Sequence, residues 1–504
     1  MSNPRPNILW YCTDQQRFDT IAALGNPHVV TPTLDRFVAD GTAFTHACCQ
    51  SPICTPSRAS FMTGLYPSRV HNCRNGNESF PGHPPLISRR IADAGYDCGL
   101  IGKFHLQSSG HRTEPRLDDG YRYWKFSHAP RDDWPAGHDY ADWVREQGGD
   151  LDAMRKSADR VSPELHQTKW ATDRAIDFID EQRDGPWFLT INVYDPHPPF
   201  IPPRRYAERF DPANMPGPHF RESDLATQAR LQDVDFQTTA RHPDEFDGQL
   251  QQALYYAMIA QVDEQFGRLL QFLDDAGQRE NTAVIFTSDH GEMLGDHGLL
   301  FKGCRFYEGL VRVPLLFRWP GRVAAGLQSD ALVELLDLSA TLLDIAGVDQ
   351  PQNMQGQSLL PVLTGDAPPG HHRDFVRCEY YDALDAAFIG SGAPDVPTQK
   401  PGFSAAADET GSVHETPAAS TGDNSRASSS GSYGTMYRDR RYKLVVYHGL
   451  NTGELYDLEA DPWEFDNLWD LPAHQALKTE LLLKNFDAAM LTGVDVGTRR
   501  IAPM

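Results

Sequence analysis

The sequence predicts an α/β fold, with a large, mostly parallel central sheet flanked by helices and a smaller C-terminal α+β subdomain. Short apolar runs of strand type alternate with helical periodicity through roughly the first 350 residues. Alternation of this kind builds a parallel sheet covered by helices. The texture changes near residue 371, which divides the chain into a main unit at 1–370 and a C-terminal unit at 371–504.

Taken in order, residues 7–12 (Asn-Ile-Leu-Trp-Tyr-Cys) read as a buried strand and 31–40 as a helix. Residues 97–101 and 187–194 are strand-like. Long helical periodicity over 254–276 leads into a buried strand at 282–287, a strand at 313–317 and a helix at 332–346. Ser, Ala, Gly, Thr, Pro and Asp dominate 391–432. So little apolar surface does not offset the entropy of ordering, and the segment reads as a mobile insertion. A strand pair from residue 435, another strand at 453–458 and an amphipathic helix over 472–490 complete the chain.

The formal net charge of -23 over 504 residues argues against nucleic acid or an anionic membrane as partner. The first residues, Met-Ser-Asn-Pro-Arg-Pro, show no apolar signal-peptide core, and no apolar run is long enough to span a membrane. Eight sparse cysteines form no zinc-ribbon spacing, so reduced thiols in a cytoplasmic protein are expected.

Open α/β sheets place their chemistry at the carboxyl ends of the strands. Asp14 and Asp289 each follow a predicted strand and have a polar neighbour, Gln15 and His290. Two carboxylates, an amide and an imidazole at one sheet edge suit a divalent cation. Helix caps or turn residues are the other account of each Asp, and spacing leaves both open.

Cys54 precedes Thr55, which fits a helix N-cap, and Pro56, which fits the first helical position; Gly64 fits the stop. A helix start lowers a thiol pKa and holds anions, and Arg58 in the first turn could reach the same anion. Inert packing is the alternative for Cys54. Further cations come from Lys103 and His105, two apart at a strand end, from His197 between prolines, and from Lys302 in a Gly-rich loop. A metal and cations at one edge suit a tetrahedral oxyanion.

Cys54-Thr-Pro-Ser-Arg58, continuing to Thr63-Gly64, resembles the sulfatase signature C-x-P-S-R-x-x-x-x-T-G. Similarity to that family extends through Gly102-Lys-Phe-His105, Pro196-His-Pro-Pro-Phe200, Thr287-Ser-Asp-His-Gly-Glu292, Lys302 and Glu454-Leu-Tyr-Asp-Leu458. The chain is thus identified as a member of the formylglycine-dependent sulfatases, near the arylsulfatase and phosphonate monoester hydrolase branch, with an alkaline-phosphatase-like fold.

The resemblance implies a metal-dependent hydrolysis of sulfate esters. It makes residue 54, converted to formylglycine by a maturation enzyme, the nucleophile. A divalent ion would be held by Asp14, Gln15, residue 54, Asp289 and His290. Arg58 would orient the formylglycine hydrate; Lys103, His197 and Lys302 would bind sulfate oxygens and the leaving-group side. His105 resembles the base that expels sulfate. Many family members carry Asp-Asp and Asp-Asn where this chain has Asp14-Gln15 and Asp289-His290, which makes manganese as suitable as calcium. The same ligands occur in phosphonate monoester and phosphodiester hydrolases, the alternative; Lys103 with His105 favours sulfate. Chain size suggests a homo-oligomer, and the loops at 106–150 and 200–250 are expected to set specificity.

Overall fold

A computed structural model describes residues 5–76, 79–80, 85–108, 113–234, 237–381 and 432–493, together with the backbone of two strands at 402–407 and 413–418. Nine strands of the main unit are β1 (Asn7–Thr13), β2 (Thr42–Cys48), β3 (Asp97–Gly102), β4 (Tyr123–Phe126), β5 (Trp187–Asn192), β6 (Thr282–Ser288), β7 (Arg312–Val313), β8 (Leu315–Arg318) and β9 (Leu327–Glu334). They form one sheet in the order β4-β3-β5-β1-β6-β8-β2-β7, with β9 also paired to β2. The pairs β4–β3, β3–β5, β5–β1 and β1–β6 are all parallel, as the alternation predicts. The half beyond β6 is mixed: β8 runs antiparallel to β6, and β2 antiparallel to β8.

Along β1 every residue is buried, and its side chains alternate between two cores. Ile8, Trp10 and Cys12 pack in one, Leu9 and Tyr11 in the other. A strand covered on both faces reads as a continuous apolar run, which is why the sequence showed it so plainly. The long helix Gly248–Asp275 lies on the second face and inserts Val262, Phe266, Leu269 and Leu273, spaced for one helical stripe.

Three predicted elements change. The helix read over 332–346 begins only at Asp337, because Leu332, Val333 and Glu334 pair with His46, Ala47 and Cys48 of β2. Pairing with a strand the sequence reading had not placed overrides their helical pattern. The strand at 313–317 is divided at Pro314 into β7 and β8. The helix at the cysteine starts at Cys54 itself, with Ile53 as its cap residue, rather than being capped by Thr55. Asn75 Oδ1 accepts from the Thr55 N–H at 3.0 Å, so a distant side chain satisfies a donor that a local cap would take. Gly64 closes the helix in the left-handed conformation, φ 72°, as predicted.

The C-terminal unit holds an antiparallel sheet of β10 (Val376–Tyr381), β13 (Tyr433–Arg438), β14 (Tyr442–His448) and β15 (Thr452–Asp457), where β11 (Gly402–Ala407) and β12 (Val413–Ala418) are a separate antiparallel pair. The helix Gln475–Gly493 packs Leu481 and Ala488 on Tyr437, Leu444 and Leu455. The insertion predicted at 391–432 lies, apart from β11, β12 and Ser432, outside the described residues. Among the described residues no helix is long and apolar enough to cross a membrane.

Candidate active site

Parallel pairing of β1 with β6 sets Thr13 opposite Ser288, so the next residue on each strand, Asp14 and Asp289, emerges at the same level of the sheet edge. Gln15 N–H donates to Asp289 Oδ1 at 3.0 Å, closing the two ends together. Gln15 has φ 71°, an uncommon backbone state for a non-glycine residue and one that clusters at functional positions.

The helix Cys54–Thr63 points its first turn at this pair. Arg58 Nε donates to Asp289 Oδ2 at 2.8 Å, and its Nη2 lies 3.4 Å from Asp14 Oδ2. Ser57 Oγ donates to the Asp289 carbonyl at 2.5 Å. Cys54 Sγ lies 3.1 Å from His290 Nε2 and 3.7 Å from Asp14 Oδ1. One ligand atom each from Asp14, Cys54, Asp289 and His290 falls within a 4.8 Å cluster. His290 Nδ1 is 2.8 Å from the Gly291 carbonyl, which fixes its proton there and turns Nε2 inward as a ligand atom. The donor set and its orientation therefore fit a divalent cation. Gln15 adds an amide oxygen beside them, held by a short hydrogen bond from its Nε2 to Glu292.

Strand β3 delivers the cations. Gly102, φ 102°, passes so close to β5 that a Cβ would stand 2.0 Å from the Asn192 carbonyl oxygen; the chain then turns Lys103 into the site. Lys103 Nζ makes a short ion pair with Asp14 and lies 3.5 Å from Cys54 Sγ. Lys302 Nζ is 2.9 Å from Gln15 Oε1 and 2.7 Å from His197 Nε2. His197 Nδ1 is 2.7 Å from the Pro198 carbonyl, so Nδ1 carries the proton and Nε2 accepts from Lys302. All ten predicted site residues are thus buried around one point or its rim, His105 included at 6% exposure.

Electrostatics follow from burial opposed by these cations. Burial pushes Asp14 up, but Lys103, His197, Arg58 and Lys302 outweigh it and hold the carboxyl well below its usual range. Burial and Asp14 raise the Cys54 thiol, while Lys103, Lys302 and His290 reverse that and leave it lowered. Burial, with Lys103 and Arg58, holds His105 well below its ordinary value, and burial with Lys302 does the same for His197. Both imidazoles are neutral at pH 7.

Three contributors have no role assigned from the sequence. Glu114 accepts from the backbone N–H groups of His105 and Leu106 at 2.6 Å and of Gln107 at 2.9 Å. It anchors the turn that holds His105 at φ 56°. His128 stands edge-on to His105 with ring centroids 4.8 Å apart. Glu292 fixes the Gln15 amide; it ends the motif Thr287-Ser-Asp-His-Gly-Glu292, which carries the family resemblance. Glu114 and His128 carry no spacing cue.

Cations, paired carboxylates and a buried thiol gathered at the carboxyl edge of an α/β sheet suit chemistry on esters of tetrahedral oxyanions. Residues 6–348 match the Sulfatase family, and the chain belongs to it. Within the alkaline phosphatase superfamily it is a sulfuric ester hydrolase of the formylglycine-dependent type. It is 31% identical over 397 residues to the uncharacterized sulfatase YidJ of Escherichia coli K12, covering 76% of each chain. It is 30% identical over 398 residues to an arylsulfatase of Clostridium perfringens, covering 75% of this chain and 82% of that one. The structure of a phosphonate monoester hydrolase from Agrobacterium radiobacter superposes with a TM-score of 0.77 at 26% identity, covering 97% of this chain and 96% of the other.

Proposed function

We propose that the protein cleaves small sulfate monoesters with residue 54, matured to formylglycine, as nucleophile. The observation that carries this is Lys103 Nζ, 3.5 Å from Cys54 Sγ, with His105 two residues further along the same strand end. Cys54 Sγ marks the position where a formylglycine oxygen would stand. When present, the cation would supply charge stabilisation, and the formylglycine hydrate an oxygen nucleophile with a second hydroxyl for release of sulfate.

The chain's own residues supply the rest. Asp14, Gln15, Asp289 and His290 would hold the cation. Arg58, bonded to both Asp289 and Asp14, sets the distance between the two strand-end carboxylates. Lys103 and Lys302 face sulfate oxygens with ammonium groups in a site closed to bulk water, where such contacts are strongest. His197 orients Lys302. His105, neutral and with Nδ1 unpartnered, has the protonation state of a base. An imidazole nitrogen and an amide oxygen beside two carboxylates suit manganese as well as calcium. Cys54 is fully buried, so a maturation enzyme must reach it before this helix packs. The eight buried thiols accord with a cytoplasmic location.

The likeness to a phosphonate monoester hydrolase favours a second reading, hydrolysis of phosphonate monoesters by the same residues. Comparing kcat/KM on 4-nitrophenyl sulfate and on 4-nitrophenyl phenylphosphonate decides. A preference for sulfate is expected; a large preference for the phosphonate reverses the order.

A further inference from the structure

Every polar atom of Gln15 has a partner. Its N–H donates to Asp289 Oδ1 at 3.0 Å, and its carbonyl accepts from the Tyr255 hydroxyl at 2.6 Å. Its Nε2 makes a short hydrogen bond to Glu292 Oε2, and its Oε1 lies 2.9 Å from Lys302 Nζ. The amide thus stands between a carboxylate and an ammonium that are both sealed from bulk solvent, Glu292 at 0% and Lys302 at 7% exposure. Turned over, it would set its NH2 against the ammonium and its oxygen against the carboxylate. The two charges therefore fix one orientation of the amide.

Glu292 is itself held in place by its surroundings. Its Oε1 accepts from the Leu294 N–H at 3.0 Å, so each carboxylate oxygen faces an N–H donor. The Phe301 N–H also bonds to this carboxylate, and Phe301, at φ 63°, directly precedes Lys302. The Glu292 N–H donates to the Gly309 carbonyl at 3.1 Å, and its own carbonyl accepts from Arg17 Nη1 at 2.9 Å. Arg17 is in turn paired with Asp19 and Asp296, each at 2.8 Å. Gly291 runs so close to the next segment that a Cβ would stand 2.0 Å from the Gly309 carbonyl oxygen. Backbone packing thus sets where the Glu292 carboxylate stands, and the carboxylate reaches Lys302 from two directions.

Resting on the sulfate-ester reading above, we propose that Glu292 is a positioning residue for Lys302: it holds the lysine's loop through Phe301 and its ammonium through Gln15, and so sets how tightly the site grips a sulfate group. The same latch leaves Gln15 Oε1 as the atom offered to the cation. Glutamine at 292 breaks it at constant size. Whichever way that amide turns, its NH2 meets either the Leu294 N–H or Gln15 Nε2, and the Gln15 orientation is no longer enforced. Exchanging the two side chains, Gln15→Glu with Glu292→Gln, restores a donor facing an acceptor and turns a carboxylate oxygen to Lys302.

The test measures inhibition of 4-nitrophenyl sulfate turnover by inorganic sulfate, and the manganese concentration that restores the thermal midpoint after chelation. In Glu292→Gln the inhibition constant for sulfate is expected to rise about tenfold, and the manganese requirement to rise with it. The double exchange is expected to return sulfate inhibition to within about threefold of wild type. Gln15→Glu alone, which sets two carboxylates in contact, should melt lowest of the three. Thermal melting of the chelated proteins reports folding, and the double exchange carries the test if Glu292→Gln fails to fold. Wild-type values of both constants in Glu292→Gln, or a double exchange that grips sulfate about tenfold more weakly than wild type, overturn the latch while leaving the sulfatase reading intact. If the wild type neither cleaves 4-nitrophenyl sulfate nor responds to inorganic sulfate, the sulfate reading falls, and with it the assignment of Lys302 to sulfate.

Discussion

Arg58 Nε donates to Asp289 Oδ2 at 2.8 Å with both side chains almost wholly removed from solvent, and the same guanidinium reaches Asp14 at 3.4 Å. One cation therefore ties together two carboxylates on adjacent strands. Removing it leaves buried negative charge unpaired. Arg58→Met in chelator-treated protein is expected to lose about 3–5 kcal/mol of apparent unfolding free energy. Urea denaturation checks this; a variant as stable as the parent would contradict it.

Glu114 gives a pH-dependent expectation. Burial, against three backbone N–H donors, pushes its carboxyl up to about 7 from the ordinary glutamate value of 4.5. Between these values the folded chain holds a proton that the unfolded chain has released. Stability therefore falls as pH rises through this window and levels off above it. Glu114→Gln removes that slope, worth about 2–3 kcal/mol from the size of the shift. Denaturation of both proteins at pH 5 and pH 8 measures it.

The same substitution loosens the turn that carries His105. We expect kcat of Glu114→Gln to drop about tenfold with little change in KM, as for a displaced acid–base group. A rise in KM at constant kcat would assign Glu114 to substrate binding instead.

Metal exchange probes the ligand set. Chelation is expected to lower the thermal midpoint, and manganese to restore it at lower concentration than calcium. Gln15→Asp, which replaces an amide by a carboxylate, should narrow or invert that order. Thermal shift titrations read this without any substrate; an unaltered order would place Gln15 outside the coordination sphere.

For residue 54, the tryptic peptide from protein made alongside a maturation enzyme should be lighter than its thiol form, since the side chain loses sulfur and two hydrogens and gains one oxygen in becoming an aldehyde. Cys54→Ala should abolish sulfate turnover while keeping the fold.

The site was legible where chemistry and backbone pattern coincide. Asp14 and Asp289 could be found because each ends an apolar strand, and strand ends of a parallel sheet converge. Cys54 and Arg58 stood out through the helix start and its motif. β2 was not legible: Thr42–Cys48 mixes small, polar and aromatic residues and is defined by its neighbours on the sheet rather than by its own periodicity. The strand character of 332–334 was lost with it, since that pairing makes it. Glu114 and His128 act through loops whose closure no local pattern announces.

The alignment of Thr13 with Ser288 makes the metal ligands a gauge of sheet registry. Side chains alternate along a strand, so deleting one residue within β1 would carry Asp14 to the opposite face even if every core position found an apolar substitute. Insertions or deletions upstream of Thr13 can be absorbed before Asn7 but not between them. Loss of metal uptake in an otherwise folded length variant would thus report a slipped strand, a fault that stability measurements alone would not distinguish from ordinary core damage.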